Sequence, residues 1–226
     1  MNGESNVSEF AKTEQNRVRR LPARGAYDKA TIYPIVDQAL ICYVGLVEEG
    51  GQPVIIPTLH ARRDDEILLH GATTSRLLKY AATGAPLCIT VANIDGLVLA
   101  RSVFHHSVNY RSAVLFGRGA LVENEDEKMA ALAAFTEKLI PGRWDDARGP
   151  NAVELKATSV VAVTIESASA KVRTGPPKDD DEDYALDVWA GVVPIQQHFG
   201  APEADPLLND HVALPGYLHA LCNRSL

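Results

Sequence analysis

The spacing of apolar residues divides the chain into many short segments with the two-residue period of strands. Leu40–Val47 is a continuous apolar and β-branched run, and Gly50-Gly51 predicts a turn after it. Pro53–Leu59 then reads as a second strand, in which Pro57 indicates a sheet edge or a bulge. The charged residues Arg62–Glu66 predict a hairpin loop. The same signals predict further strands at Ile67–His70, Pro86–Ala92, Leu97–Val103 and Ala157–Ala168, with a turn at Asn93–Gly96. Tyr110–Val122 is predicted to be one long strand or a pair, with a bulge at Gly117 and Gly119, and Trp189–Ile195 is predicted to return to the fold after the last clear strand.

Only a few segments have the period of a helix. Asp28 is placed to cap a helix with one apolar face, which Pro34 would limit to about two turns. A second helix follows His70 and is ended by Gly84, and a third runs from Glu125 to Leu139. About six or seven strands joined mostly by tight turns predict a mainly β fold. We expect a closed or partly closed antiparallel barrel with peripheral helices.

The ends of the chain and one internal segment lack such patterns. Residues 1–20 are polar with little periodicity, so we predict a mobile N-terminal tail. Residues 21–226 are predicted to form one domain with a C-terminal helical extension around Leu207–Leu221. Thr174–Asp183 is acidic and contains prolines, which is typical of a solvated, mobile loop.

Composition and charge restrict the possible partners. A formal net charge of −7 argues against nucleic acid as the main partner, because such binding needs a cationic face. The apolar runs are too short to span a bilayer, and we expect no membrane association. The first residues lack the pattern of a secretory signal, and the three cysteines have no metal-like spacing. These features predict a cytoplasmic protein with reduced thiols.

The turn from His70 to Arg76 is the most informative candidate for chemistry. Thr73, Thr74 and Ser75 provide hydroxyls where a helix begins, and Arg76 adds a forked cation. Free N–H groups, hydroxyls and a guanidinium suit a phosphate. The alternative from local chemistry is that Thr73 or Thr74 only caps the helix and Arg76 points to water.

Histidines offer two further candidates. His70 ends an apolar strand, where it is either a cofactor contact or a barrel residue satisfied by a carbonyl. His105 and His106 lie in a segment rich in polar side chains, but adjacent histidines cannot share a strand face. No carboxylate or cysteine is near them in sequence, so we expect no metal site.

Several segments together resemble the flavin-binding split-barrel family, in its branch related to pyridoxamine 5'-phosphate oxidase. The resemblance covers about residues 20–195. The segments that carry it are Arg24–Asp28, Pro53–Thr58, Leu69–Gly71, Thr74–Arg76, Phe104–Ser107, Asn109–Ser112 and Trp189–Gly191.

This resemblance implies a six-stranded antiparallel split barrel that forms a homodimer, with FMN in the clefts between subunits. Main-chain groups of Val54, Ile55, Ile56, Pro57 and Thr58 would lie along the flavin ring, and Leu69 and His70 would flank the ribityl chain. The phosphate would be held by Thr74, Ser75 and Arg76. Tyr110, Arg111 and Ser112, with Trp189, would close the site from a neighbouring strand or the other subunit.

The chain departs from true pyridoxamine-phosphate oxidases in two places. Their flavin-contacting strand begins with Arg and ends with Lys, where this chain has Pro53 and Thr58, and their arginine-rich C-terminal segment has no counterpart. A group resembling nitroimidazole reductases also has a histidine at the position of His70, which makes His70 the first candidate for a catalytic role.

Three functions follow from the resemblance. The first is a flavin-dependent oxidoreductase that passes electrons from NAD(P)H to a small electrophilic acceptor. The second is a flavin carrier or sensor without turnover. The third is a split barrel that binds haem, with His70, His105 or His106 as axial ligand.

Overall fold

The computed structural model describes residues 8–222, in which nine strands form one curled antiparallel sheet. The strands are β1 (Gly25–Ala26), β2 (Ile41–Val47), β3 (Pro53–Leu59), β4 (Ala61–Arg63), β5 (Glu66–Ala72), β6 (Pro86–Leu99), β7 (Ser107–Leu121), β8 (Thr158–Arg173) and β9 (Gly191–Pro194). The helices are α1 (Lys29–Gln38), α2 (Arg76–Ala82), α3 (Glu125–Leu139), α4 (Arg143–Asp146), α5 (Ala152–Ala157) and α6 (Gly216–Cys222).

The strand order confirms the mainly β split barrel with peripheral helices and corrects the strand count. The order is β3-β2-β6-β7-β8-β5-β4, with β1 paired to β8 and β9 paired to β6. The predicted six strands become nine because β1, β4 and β9 have only two to four residues, too few for a visible period. Strand β4 occupies part of the predicted Arg62–Glu66 loop, and its hairpin turns at Asp64, where φ is 50°.

Strand β6 is one long strand where the pattern predicted two strands and a turn. Its pairing with β7 shifts register between Ile94 and Gly96, so the predicted turn is a β-bulge. Gly96 is required there because a Cβ atom would lie 2.9 Å from the Val193 carbonyl oxygen of β9. Gly96, which favours a turn in the sequence, is thus needed here for the close approach of β9.

Helix α1 begins as predicted and runs further than predicted. The Asp28 side chain accepts a hydrogen bond from the Thr31 amide at 2.7 Å, which confirms the cap. The helix has ten residues and continues through Pro34, rather than stopping after about two turns. Burial of Ile32, Ile35 and Val36 offsets the hydrogen bond that proline removes.

Apolar side chains form two clusters, one on each face of the sheet. The larger cluster lies inside the barrel and includes one face of α1 and α2. The smaller one lies between α3 and the outer face of β5 and β8, where Phe135 packs against the strands. Leu68 belongs to the outer cluster and Leu69 to the inner one, because neighbouring strand residues face opposite sides.

Parts of the predicted mobile tail and mobile loop contact the barrel instead. Residues 1–7 of the predicted tail lie outside the described residues. Within residues 8–20, Phe10 and Asn16 are buried, and the Asn16 amide donates to the Ala168 carbonyl at 3.0 Å. In the acidic segment, the Asp179 carboxylate accepts from the Arg101 amide at 2.8 Å. A single aromatic or acidic residue with one distant partner leaves no periodic signal in the sequence.

The C-terminal extension is helical only at its end. Residues 207–215 have no helix, and α6 begins at Gly216. The Tyr217 hydroxyl donates to Asp146 of α4 at 2.6 Å, which ties α6 to the domain. Within residues 8–222, no helix has the length and apolarity needed to cross a membrane.

Candidate functional site

Strand β3 lies at one end of the strand order and offers a free edge. It pairs along its length with β2, and no strand pairs with its other edge within residues 8–222. Val54 and Ile56 pack against the inner cluster, whereas the Ile55 side chain is 69% exposed and Pro57 is also exposed. Thr58 ends the strand half-buried. Unpaired main-chain groups beside an exposed apolar side chain suit the polar edge of a planar ring.

The turn between β5 and α2 is capped by Ser75 rather than by either threonine. The Ser75 hydroxyl accepts from the Leu78 amide at 3.5 Å, and Thr73 and Thr74 are both exposed. The Thr73 amide donates to the Ala157 carbonyl at 3.1 Å. The local alternative of a threonine cap is therefore wrong, and the Thr74 hydroxyl remains at the surface.

Arg76 does not simply point to water. Its Nη1 lies 3.0 Å from Oε1 of Glu48, at the end of the β2–β3 hairpin, although the Arg76 side chain is 62% exposed. An anion at this turn would have to compete with the Glu48 carboxylate for the guanidinium. An exposed pair of this kind contributes little stability, so the competition is weak.

Glycine positions α2 behind this turn. A Cβ atom on Gly119 of β7 would lie 2.6 Å from the Ala81 carbonyl oxygen of α2. Only glycine permits this approach, and it fixes the distance between the helix and the sheet. The predicted bulge in β7 is also confirmed, since the register with β8 shifts between Phe116 and Gly117.

His70 faces outward on β5, toward α3. Its ring centroid lies 4.2 Å from that of Phe135, and its Nδ1 atom is buried without a hydrogen-bond partner. Burial lowers the pKa of His70, so the ring is neutral at neutral pH. The neighbouring residue Leu69 is 0% exposed inside the barrel and is paired with Val161 of β8, so a single chain presents no exposed Leu69 surface for the predicted ribityl contact.

Tyr110, Arg111 and Ser112 follow one another on β7 and serve different surfaces. Arg111 lines a cavity of about 420 Å³ between β2, β6 and the end of α1, where its Nη2 lies 2.6 Å from Oδ1 of Asp95. The Ser112 hydroxyl donates to the Lys171 carbonyl at 3.2 Å and borders a separate groove. Tyr110 is half-buried, paired in register with Ile94.

Trp189 lies outside both of these cavities. Its side chain is 66% exposed just before β9, and its six-membered ring covers Gly191, where a Cβ atom would lie 2.9 Å from the ring. The turn Thr74–Arg76 also lines none of the cavities described here. One chain therefore does not gather all the predicted residues around one cavity, as expected if some of them serve a neighbouring subunit.

A buried histidine, His60, and a half-buried lysine, Lys138, form a cluster that the sequence pattern did not reveal. The Nζ atom of Lys138 lies 2.8 Å from Nε2 of His60 and donates to the Ala39 carbonyl at 2.8 Å. Lys138 thus provides a hydrogen-bond donor for a main-chain carbonyl at the carboxyl end of α1. Burial is the main cause that lowers the pKa of His60 to about 4 and that of Lys138 to about 8. The partners are 78 residues apart, so no local signal marks them.

The other two candidate histidines have separate partners. Nδ1 of His106 accepts from the Ala100 amide at 3.1 Å, and Nε2 of His105 lies 3.2 Å from Oδ2 of Asp180. The carboxylate that is absent near His105 in sequence is thus supplied by the distant acidic segment. His105 and Asp180 are 75 residues apart, so the sequence pattern could not predict that they lie close together.

A free β3 edge, a hydroxyl-rich turn and a curled antiparallel sheet are the features of a flavin-binding split barrel. Comparison with family models matches residues 28–172 to a family described as pyridoxamine 5'-phosphate oxidase. The chain belongs to this family. No curated protein sequence gives a match.

Two solved structures are similar over almost the whole chain. The flavocytochrome Anf3 from Azotobacter vinelandii is 38% identical with a TM-score of 0.87, covering 94% of this chain and 98% of its own. A FAD- and haem-binding protein from Mycobacterium smegmatis is 36% identical with a TM-score of 0.83, covering 88% and 97% respectively.

A more distant structure supports the fold alone. It is a putative 5-nitroimidazole antibiotic resistance protein from Bacteroides thetaiotaomicron, 23% identical with a TM-score of 0.55. It covers 64% of this chain and 84% of its own. The predicted resemblance to the split-barrel family related to pyridoxamine 5'-phosphate oxidase is confirmed by the family match.

Proposed function

We propose that this protein binds a flavin nucleotide and a haem and transfers electrons between them and a small acceptor. The observation that carries the proposal is the orphaned Nδ1 of His70, a buried polar atom beside Phe135, on the strand that leads into the Thr74–Arg76 turn. Two relatives that are 38% and 36% identical are described as a flavocytochrome and as a FAD- and haem-binding protein.

The proposed flavin site combines β3 with the turn before α2. The main-chain edge of Val54–Thr58 would contact the polar edge of the flavin ring, and Thr74 and Arg76 would hold the phosphate. Ser75 contributes by fixing the start of α2 rather than by donating its hydroxyl outward. The residues fit because the edge is unpaired within the described chain and the Arg76 side chain can leave its exposed partner Glu48.

We propose FAD as the nucleotide, in place of the FMN expected from the family resemblance. The support is the M. smegmatis relative, which is described as binding FAD. The test is mass spectrometry of the flavin released by heat from protein purified without added cofactor. FAD as the main species supports the proposal, and FMN as the main species restores the original expectation.

We propose that His70 would hold the haem iron. A neutral imidazole is the form that coordinates iron, and burial keeps the His70 ring neutral. His105 and His106 are weaker candidates, because each already has a partner for one ring nitrogen. The Phe135 ring would hold the imidazole in one orientation.

The proposed reaction takes electrons from NAD(P)H and delivers them to a small electrophile. When bound, the flavin supplies hydride acceptance and the haem supplies one-electron transfer. The protein contributes orientation and exclusion of water. Anaerobic mixing with NADH or NADPH tests the reaction: bleaching of the flavin absorbance supports it, and absence of bleaching favours a carrier or sensor.

A homodimer is proposed from the outer face of β2 and β3. Ile41, Tyr43, Val47 and Ile55 are 39%, 48%, 53% and 69% exposed and share one face of the two paired strands. A continuous apolar face of this kind is typical of a protein–protein contact. A second copy of the chain would cover it and bring Arg111 or Trp189 toward the free edge of β3.

A further inference from the structure

Two turns that are far apart in sequence meet at the rim of the barrel beyond β6. One is the 3-10 turn Val103–His105, and the other is the 3-10 turn Asp181–Ala185. Asp179 joins them: its carboxylate accepts from the amides of Arg101 and Ser102 at 2.8 and 3.2 Å, and its side chain is 0% exposed. The acidic segment therefore has a fixed position against the turn that carries His105.

His105 and two carboxylates converge at this contact. Nε2 of His105 lies 3.2 Å from Oδ2 of Asp180, and a carboxylate oxygen of Asp183 lies within 4.8 Å of both atoms. Ligands bound to one cation at about 2.0–2.2 Å are separated by roughly 3 Å when they occupy adjacent positions. A small closure of the Asp183 side chain would therefore complete a three-ligand set.

The local charge favours a cation. Arg101 is paired with Asp179, and no lysine or arginine forms an ion pair with Asp180 or Asp183 within residues 8–222. Two carboxylates held this close repel each other, and His105 provides compensation only when protonated. His105 and Asp183 are half-buried, which weakens screening by solvent.

We propose that His105, Asp180 and Asp183 bind one divalent transition-metal ion, of which Zn²⁺ is the probe. An imidazole with two carboxylates suits Zn²⁺ and its neighbours in the first transition row, whereas Mg²⁺ and Ca²⁺ prefer oxygen ligands alone. Water would occupy the remaining positions, because Asp180 is exposed. The site is separate from His70 and β3, and it does not depend on the proposed cofactors.

The experiment is isothermal titration of the full-length, chelator-treated protein with Zn²⁺. The expected result is a site with one ion per chain, at least tenfold weaker in both His105→Ala and Asp183→Asn. Asp181→Asn is the matched control, since Asp181 is a neighbouring exposed acid outside the triad. Its affinity should equal that of the unaltered protein, and excess Mg²⁺ should not displace Zn²⁺.

Three results would overturn the proposal. These are the absence of a one-to-one site, an equal loss of affinity in Asp181→Asn, and full Zn²⁺ affinity in His105→Ala. The second result would assign the binding to the diffuse charge of the acidic segment. Circular dichroism of each variant separates lost ligation from lost folding, and Co²⁺ absorbance in the visible range gives an independent readout of nitrogen and oxygen ligation.

Discussion

Arg76 is the residue on which the phosphate assignment can be tested. We expect Arg76→Ala to weaken flavin nucleotide binding about tenfold, because a charge-assisted hydrogen bond contributes on the order of 1.5 kcal/mol at an exposed position. Fluorescence titration of the protein freed of flavin measures this. Arg118→Ala is the control, since Arg118 is also exposed and paired with a glutamate, Glu166. Equal affinities in both variants would remove Arg76 from the site.

His70 should affect one cofactor and not the other. We expect His70→Ala to lose the haem Soret absorbance and to retain flavin, because the proposed flavin contacts come from β3 and the turn. His106→Ala should retain both, since Nδ1 of His106 accepts from a main-chain amide. A full Soret band in His70→Ala would show that His70 does not hold the haem iron.

Helices α1 and α3 are joined through buried His60 and half-buried Lys138, and this pair responds to acid. His60 has its pKa lowered to about 4 from 6.5, so the unfolded chain binds the proton more readily than the folded chain. The contribution of neutral His60 to the free energy of unfolding is fully present above pH 6.5 and is lost as the pH falls from 6.5 through 4. We expect a loss of about 2 kcal/mol in the free energy of unfolding between pH 7 and pH 4.5.

Urea unfolding at the two pH values measures this loss. His60→Gln should flatten the difference, whereas His211→Gln, at an exposed histidine, should leave it unchanged. A His60→Gln protein with the same pH dependence as the unaltered one would contradict the assignment. Lys138 acts at alkaline pH, because its pKa is lowered from 10.5 to about 8. Its effect on the free energy of unfolding therefore changes between about pH 8 and pH 10.5, where stability rises with pH.

The elements also show what local pattern can and cannot predict. The sequence predicted strand β3 with the bounds Pro53–Leu59, and it predicted Asp28 as a helix cap. Both predictions depend only on residues that are neighbours in the sequence. The bulge in β6 was read as a turn, because glycine signals both and only the approach of β9 distinguishes them. The partners Glu48 and Phe135 could not be predicted, since tertiary packing alone brings them to Arg76 and His70.

At the scale of the whole molecule, the dimer is the prediction with the widest consequence. We expect Ile55→Lys to give a monomer by light scattering and to lose flavin, because the charge would enter the proposed interface beside the β3 edge. Leu207→Lys is the control: Leu207 is 91% exposed on the C-terminal segment and belongs to no strand. A flavin-loaded monomer would contradict a site that needs two subunits.

The barrel as a whole followed from strand density and turn signals, while the arrangement of the site did not. The sequence indicated Thr74–Arg76, His70 and Arg111 as one site, yet a single chain turns them toward separate surfaces. Curvature of the sheet and pairing of distant strands decide this, and neither is encoded in local periodicity. The haem was one of three sequence hypotheses, and similarity to two solved relatives now favours it.

The absorption spectrum of the purified protein, recorded with pyridine haemochrome and released-flavin assays, tests whether the protein holds both a flavin and a haem. We predict a flavin band and a Soret band in the same preparation, with flavin and haem each near one per chain. A protein that folds and, after incubation with FAD and haemin, still shows neither band would contradict it. A flavin band without a Soret band under the same conditions would overturn the haem assignment and leave the flavin site intact.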